Sequence, residues 1–428
     1  MGRRGKCSWA VFALLVLTAA TVLSVLAANA TPKAFRLTQS VSVDYSVDDP
    51  RFRQTLERGL QAPILDGNRA DMLENGEAIY PAKLDAIAAA ETSISFEVYE
   101  FWGETAGAEF AEALRDAAER GVTVRVLLDF VGSTGADADS LAAIEDAGGQ
   151  VVRWRQPSWY QAARFNHRTH RKLLIVDGRT GFTGGANIGD DWLGNPQSGG
   201  KRDLHYRLEG PIVGALQGAF AEHWLNATGE ILHGEAIYPA LEPIGNLAMQ
   251  VVDSAPREGR HRIRWMLLFA LAAAQERVDI GTAYFYPDRA VLDALEAAAE
   301  RGVRVRILVP GDSIDKGFVR HASVNQWQPL LEAGVEIHEF EPTMYHAKLL
   351  VVDDRWVSVG SANMDNRSFR INDEVNVNVF DADFARGIRE TLDRDLDQAA
   401  RYDLERWQAR AWHKRLFGWI SVTLGSHF

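Results

Sequence analysis

Cysteine is almost missing from this chain: among 428 residues there is one, Cys7. That excludes an intramolecular disulfide and a cysteine-based zinc site. A basic excess is missing as well, with 46 Lys and Arg against 58 Asp and Glu, a net charge of −12. Proteins whose main task is holding DNA or RNA show a basic excess or a basic stripe. No nucleic-acid partner is therefore expected. No tight cluster of carboxylates stands near the motifs described below, so neither a metal nor another cofactor is expected.

Charge is also missing from one long stretch. Trp9 to Ala28 carries none, and about 20 such residues suffice to span a bilayer as a helix. Arg3, Arg4 and Lys6 precede it, which favours an N-terminus in the cytoplasm and a body outside it. Ala28-Asn29-Ala30 has the form of a signal-peptidase site, but the run exceeds the 7–15 apolar residues of an ordinary signal core. An uncleaved transmembrane anchor is the favoured expectation.

What the chain does have, it has twice. His170-Arg171-Lys172-Leu173-Leu174-Ile175-Val176-Asp177 reads H-x-K-x-x-x-x-D and is followed by Gly184-Gly185-Ala186-Asn187. His346-Ala347-Lys348-Leu349-Leu350-Val351-Val352-Asp353 repeats the pattern and is followed by Gly360-Ser361-Ala362-Asn363. The interval from histidine to asparagine is the same in both copies. One H-x-K is a chance event in any large protein; two with one internal spacing, each on a strand-like apolar run, are not.

The surroundings repeat as well. Ala86–Ala90 runs into Ser93–Tyr99 as Ala270–Ala274 runs into Val278–Tyr284, each a helix end entering a strand. Ala118-Glu119-Arg120-Gly121 and Ala299-Glu300-Arg301-Gly302 each read as a helix stopped by glycine, with an alternating strand after it. Alternating strands and helices imply an α/β fold. The period is far longer than a solenoid repeat, so two similar α/β domains are expected as a pseudo-symmetric pair. The boundaries suggested are 1–30 for the anchor or signal, 31–80 for a lead-in segment, 81–245 and 246–400 for the two domains, and 401–428 for an amphipathic tail. Aromatic and basic residues mix in that tail (Trp407, Arg410, Trp412, Lys414, Arg415, Trp419), which suits either a membrane interface or docking on the domain. Gly76–Ala82 recurs letter for letter as Gly234–Ala240 at non-equivalent points of the halves, with no physical reason visible in the sequence.

Two histidines and two lysines meeting in one pocket would suit phosphoryl chemistry. Lysine and asparagine bind phosphate oxygens and stabilise charge developing on them. One imidazole can attack phosphorus; the other can protonate the leaving alcohol and deprotonate the incoming one. The catalytic candidates are thus His170, Lys172, Asp177, His346, Lys348 and Asp353, with Asn187 and Asn363 beside the phosphate. Asp177 and Asp353 have a second reading, as ties between the motif strand and a neighbouring loop. Each histidine also needs a partner on its other nitrogen, and Asp203 and Glu374, each just before an alternating segment, are the candidates.

The duplicated H-x-K-x-x-x-x-D with its trailing G-G-A-N and G-S-A-N resembles the phospholipase D superfamily, over both halves. Asn166-His167-Arg168-Thr169-His170, Gly184–Gly189, Tyr238-Pro239 and Asp365-Asn366-Arg367-Ser368-Phe369 are similar to the bacterial cardiolipin synthases within it. The resemblance implies two α/β domains packed about a pseudo-twofold axis, the site at their interface, and a phosphohistidine intermediate. It implies His170 as nucleophile and His346 as acid and base, with Asp203 and Glu374 as the orienting acids. Gly185 departs from the serine that many superfamily members carry there; the synthase subgroup often has glycine. The function expected is phosphatidyl transfer between phospholipids, phosphatidylglycerol among them, by a single-pass protein of the bacterial cytoplasmic membrane with an extracytoplasmic body. Hydrolysis to phosphatidic acid is the alternative, and an extracytoplasmic nuclease a more distant one.

Overall fold

The computed structural model describes residues 16–18, 20, 37, 39–156 and 166–412. Most of the expected anchor, and the tail beyond residue 412, lie outside the described residues. Among the described residues no helix is long and apolar enough to cross a membrane.

The first half supplies β1 (Leu65–Glu74), β2 (Ser93–Val98), β3 (Thr123–Asp129), β4 (Gln150–Trp154), β5 (Leu173–Val176), β6 (Thr180–Gly184) and β7 (Leu204–Glu209). The second supplies β8 (Leu247–Ser254), β9 (Arg277–Gly281), β10 (Phe285–Tyr286), β11 (Arg304–Pro310), β12 (Glu336–Phe340), β13 (Leu349–Val352), β14 (Trp356–Gly360), β15 (Met364–Asp365), β16 (Glu374–Val379) and β17 (Ala399–Tyr402). Among the described residues, 15 strands form one sheet in the order β17-β12-β11-β9-β13-β14-β16-β8-β1-β7-β6-β5-β2-β3-β4, while β10 and β15 pair apart.

From the β8–β1 contact outward, the succession is the same in both directions. β1-β7-β6-β5-β2-β3-β4 matches β8-β16-β14-β13-β9-β11-β12, and β1 pairs β8 antiparallel. Antiparallel pairing of equivalent strands is what a local twofold produces. The expected boundary at residue 81 is therefore misplaced. β1 lies before it, yet β1 is the counterpart of β8 and joins the halves into one sheet. Its sequence, Leu-Asp-Gly-Asn-Arg-Ala-Asp-Met-Leu-Glu, is polar and only partly buried, so no apolar run announces it.

The apolar motif strands are explained by burial on both faces. Leu173 and Ile175 of β5 enter the core layer beneath helices Ile212–Thr228 and Ala382–Leu396. Leu174 and Val176 face the opposite layer, with helices Asn75–Ala88 and Ala106–Glu119. In β13, Leu349 and Val351 share the central layer with them, whereas Leu350 and Val352 enter a third cluster. Side chains two apart share a face of a strand. Histidine and lysine of each motif stand in the segments that lead into these strands.

The described part of the tail docks on the body. In the short helix Leu404–Gln408, the Trp407 indole N–H donates to the Val324 carbonyl at 2.7 Å. The Arg410 guanidinium donates to Asn325 Oδ1 at 2.9 Å.

Candidate active site

Both motif strands begin at the same cleft. His170 and His346 line one cavity of about 370 Å³, together with Asn187 and Asn363. The loops entering the two strands are laced across the halves. The His170 N–H donates to the Asp373 carbonyl at 2.8 Å, and the His346 N–H to the Arg202 carbonyl at 2.7 Å. Main-chain bonds thus fix each catalytic backbone to the opposite half.

The orienting acids are exchanged in the same way. His170 Nδ1 lies 3.0 Å from Glu374 Oε2, and His346 Nδ1 lies 2.7 Å from Asp203 Oδ2. A proton on Nδ1, donated to the carboxylate, leaves Nε2 as the reactive nitrogen. Neither site is complete within one half. Burial holds the His170 pKa down to about 4, opposed by Glu374 and assisted by Lys172. Burial and then Lys348 hold His346 well below its ordinary value, against Asp203. Both shifts favour the neutral imidazole, the form that can act as a nucleophile.

The lysines are fully enclosed. Lys172 Nζ donates to the His170 carbonyl at 2.8 Å, and Lys348 Nζ to the His346 carbonyl. Burial lowers their pKa values to about 8 and about 7. An anionic phosphate entering between them would raise both. The Asn187 amide donates to Glu100 Oε2 at 3.0 Å and accepts the Glu100 N–H at 3.2 Å. Asn363 Oδ1 is buried without a hydrogen-bond partner, as suits a group that a ligand completes.

Gly185 now has a reason. Glu374 accepts from the hydroxyls of Ser361 (2.6 Å) and Ser368 (2.7 Å). At the place of Ser361 in the first copy stands Gly185, where a Cβ would lie 2.1 Å from Asp203 Oδ1. The carboxylate sits too close to admit any side chain. Its second oxygen accepts instead from the Trp192 indole N–H at 2.9 Å, and the same ring meets His346 edge-on, 5.2 Å between centroids.

Asp177 and Asp353, offered as catalytic candidates, are not brought to the cleft. They follow the far ends of β5 and β13, in left-handed turns at φ 52° and 53°. Asp177 accepts the N–H groups of Glu91, Thr92 and Ser93. Asp353 accepts those of Gln275, Glu276 and Arg277. Each ties its hairpin to the strand beside it, the structural reading of the motif aspartate. The other eight named residues converge.

Sequence reasoning missed several contributors. Tyr99 stacks obliquely on His170, 5.2 Å between ring centroids, and lies 5.4 Å from Lys172 Nζ. Behind His170, the buried His223 joins Glu97 (2.7 Å) to Asp373 (3.7 Å), and Trp154 stacks on its ring at 4.2 Å. Thr169, next to His170, also hydrogen-bonds Glu97. None of these carries a local signature; only the sheet order brings them together. Of the aromatic run 284–286, Tyr284 and Tyr286 line the cavity and Phe285 packs in the core.

Residues 84–195 and 267–396 match the family described as cardiolipin synthase, PLD-like domain. The chain belongs to this family. It is 35% identical over 354 residues to the major cardiolipin synthase of Bacillus subtilis (strain 168), covering 82% of this chain and 73% of that one. It is 36% identical over 339 residues to cardiolipin synthase A of Pseudomonas entomophila (strain L48), covering 79% and 70%. The fold is shared with the phosphatidylserine synthase of Haemophilus influenzae Rd KW20, at a TM-score of 0.64, 15% identity, and coverage of 87% of this chain and 96% of that one. Family membership makes the protein an enzyme of the phospholipase D type, and the α/β fold expected from the sequence is observed.

Proposed function

We propose that the protein is a membrane phosphatidyltransferase of the cardiolipin synthase kind, moving a phosphatidyl group from one phosphatidylglycerol to the hydroxyl of another. One observation carries this reading. Two histidines, each oriented by a carboxylate of the opposite half, share a cavity with two asparagines, and a buried lysine donates to the main-chain carbonyl of each histidine.

In the proposed sequence His170 Nε2 attacks phosphorus, and the bond to the departing glycerol oxygen breaks. His346 Nε2, protonated once the anionic lipid is bound, gives its proton to that oxygen. Lys172, Lys348 and the asparagine amides stabilise the charge on the non-bridging oxygens. The acceptor hydroxyl then yields its proton to His346, its oxygen attacks phosphorus, and the N–P bond breaks to restore His170.

Transfer must outrun hydrolysis, since water is far more concentrated than a lipid hydroxyl. That requires water to be excluded and the acceptor to be held. Tyr284, Tyr286 and Phe318 give the cavity an apolar rim that supports this. The Trp9–Ala28 run would keep the site at the bilayer, with the basic residues before it placing the body outside the cytoplasm.

The test is incubation of the full-length protein with vesicles of labelled phosphatidylglycerol. Cardiolipin should exceed phosphatidic acid; phosphatidic acid as the main product would overturn the transfer reading.

A further inference from the structure

The cavity does not end at the imidazoles. Arg168 from the first half and Arg367 from the second line it too. Arg367 is held in place: it donates to Oδ1 and the carbonyl of Asn166, both at 2.9 Å, and reaches Asn372 Oδ1 at 3.4 Å. Burial lowers the pKa of Arg367; Asp365 opposes this and the nearby charge of Arg168 adds to it. The two guanidiniums line one cavity, one from each half. Burial pushes the carboxyls of Asp129 and Asp365 up to about 6. A half-buried pair of like charges is costly until an anion joins it.

Tyr99 lines the cavity beside this pair. Its ring rests against His170 and Lys172. Burial raises the pKa of its hydroxyl, as do Glu100 and Asp129, while Arg168 and Arg367 both act to lower it. Tyr99, His170 and the arginine pair line the same cavity. A glycerol unit spans roughly 5 Å from first to last oxygen, at about 1.5 Å per bond. That is the separation between the attacking hydroxyl and the phosphate of a phosphatidylglycerol acceptor.

We propose that Arg168 and Arg367 form a second phosphate subsite, which grips the phosphodiester of the acceptor lipid while its terminal hydroxyl attacks the phosphohistidine. This rests on the phosphatidyltransferase reading. The donor step has no use for such a subsite, because the departing glycerol carries no phosphate. Neither has hydrolysis. The pair therefore acts on acceptor choice.

The experiment uses full-length protein in neutral-lipid vesicles with trace labelled phosphatidylglycerol as donor. Three acceptors are compared: unlabelled phosphatidylglycerol, monoacylglycerol (the same diol without a phosphate) and soluble glycerol phosphate (a phosphate without acyl chains). Wild-type protein should prefer phosphatidylglycerol. In Arg168→Gln the preference for phosphatidylglycerol over monoacylglycerol should fall about tenfold or more, the order expected for a charge-assisted hydrogen bond. Arg168→Lys should restore part of it. Arg367→Gln should behave alike where it folds, and Arg168→Gln carries the test where it does not. Parallel losses with both acceptors would make the arginines structural and overturn the subsite. Wild-type preference for glycerol phosphate would overturn the lipid assignment. Absence of transfer by wild-type protein to any acceptor would overturn the phosphatidyltransferase reading itself.

Discussion

Gly185 offers the sharpest test of the exchanged acids. In Gly185→Ala the new Cβ would stand 2.1 Å from Asp203 Oδ1, where ordinary contact begins near 3.4 Å. The carboxylate must withdraw by more than 1 Å. It cannot do so freely, for it holds His346 Nδ1 at 2.7 Å, the Trp192 indole at 2.9 Å and the Leu204 N–H at 2.8 Å. At least one of these bonds breaks. Overpacking alone costs about 1–3 kcal/mol of stability. A catalytic group misplaced by about 1 Å costs on the order of a hundredfold in rate. We expect kcat in Gly185→Ala to fall about a hundredfold, with a smaller fall in thermal stability. The control is Ser361→Ala in the other half. It removes one hydroxyl from Glu374, which keeps Ser368 and His170, so a loss of about tenfold is expected. The assay is transfer of labelled phosphatidyl groups by protein whose folding is checked by circular dichroism. Wild-type rate in folded Gly185→Ala would refute the reasoning, as would a larger loss in Ser361→Ala.

Three further outcomes follow from the same geometry. His170→Ala and His346→Ala should each abolish turnover, because nucleophile and acid/base act as one unit; trapping in alkaline denaturant, which preserves the acid-labile N–P bond, should yield labelled phosphohistidine in the second variant only, and normal turnover in either would sink the mechanism. The pH profile of kcat/KM should fall on the alkaline side through about pH 7–8, where Lys348 and Lys172 lose the charge that binds phosphate, and on the acid side towards pH 4, where His170 gains a proton and ceases to be a nucleophile; a profile flat from pH 6 to 10 would contradict this. Asp177→Asn should cost about 1–3 kcal/mol of stability by weakening its bonds to the β2 entry, while kcat per folded molecule stays near wild type; a hundredfold loss of kcat at unchanged stability would return Asp177 to the chemistry.

The residues of this chain determine the chemistry locally. Histidine and lysine two apart at the head of an apolar run, written twice, disclose a site before any fold is known. The same holds for strand and helix order, since burial on two faces writes itself as Leu173–Val176 and Leu349–Val352. Which acid serves which histidine was not legible: Glu374 is far from His170 in sequence, and only sheet order joins them. The motif aspartate was legible only as one of two readings, and the structure decided between them because the length of a strand carries Asp177 and Asp353 away from the histidine and lysine of the same motif. The polar strand β1 and the buried His223 become intelligible only from what packs on them. The repeated heptapeptide shows the limit plainly. Gly76–Ala82 lies within the helix Asn75–Ala88, whereas Gly234–Ala240 forms turns and irregular chain. Seven residues carry too little helical preference to nucleate a helix alone, so the surroundings decided: one copy continues into the apolar Leu84–Ala88, and the other is held by the Ser93 hydroxyl at the Ala236 carbonyl.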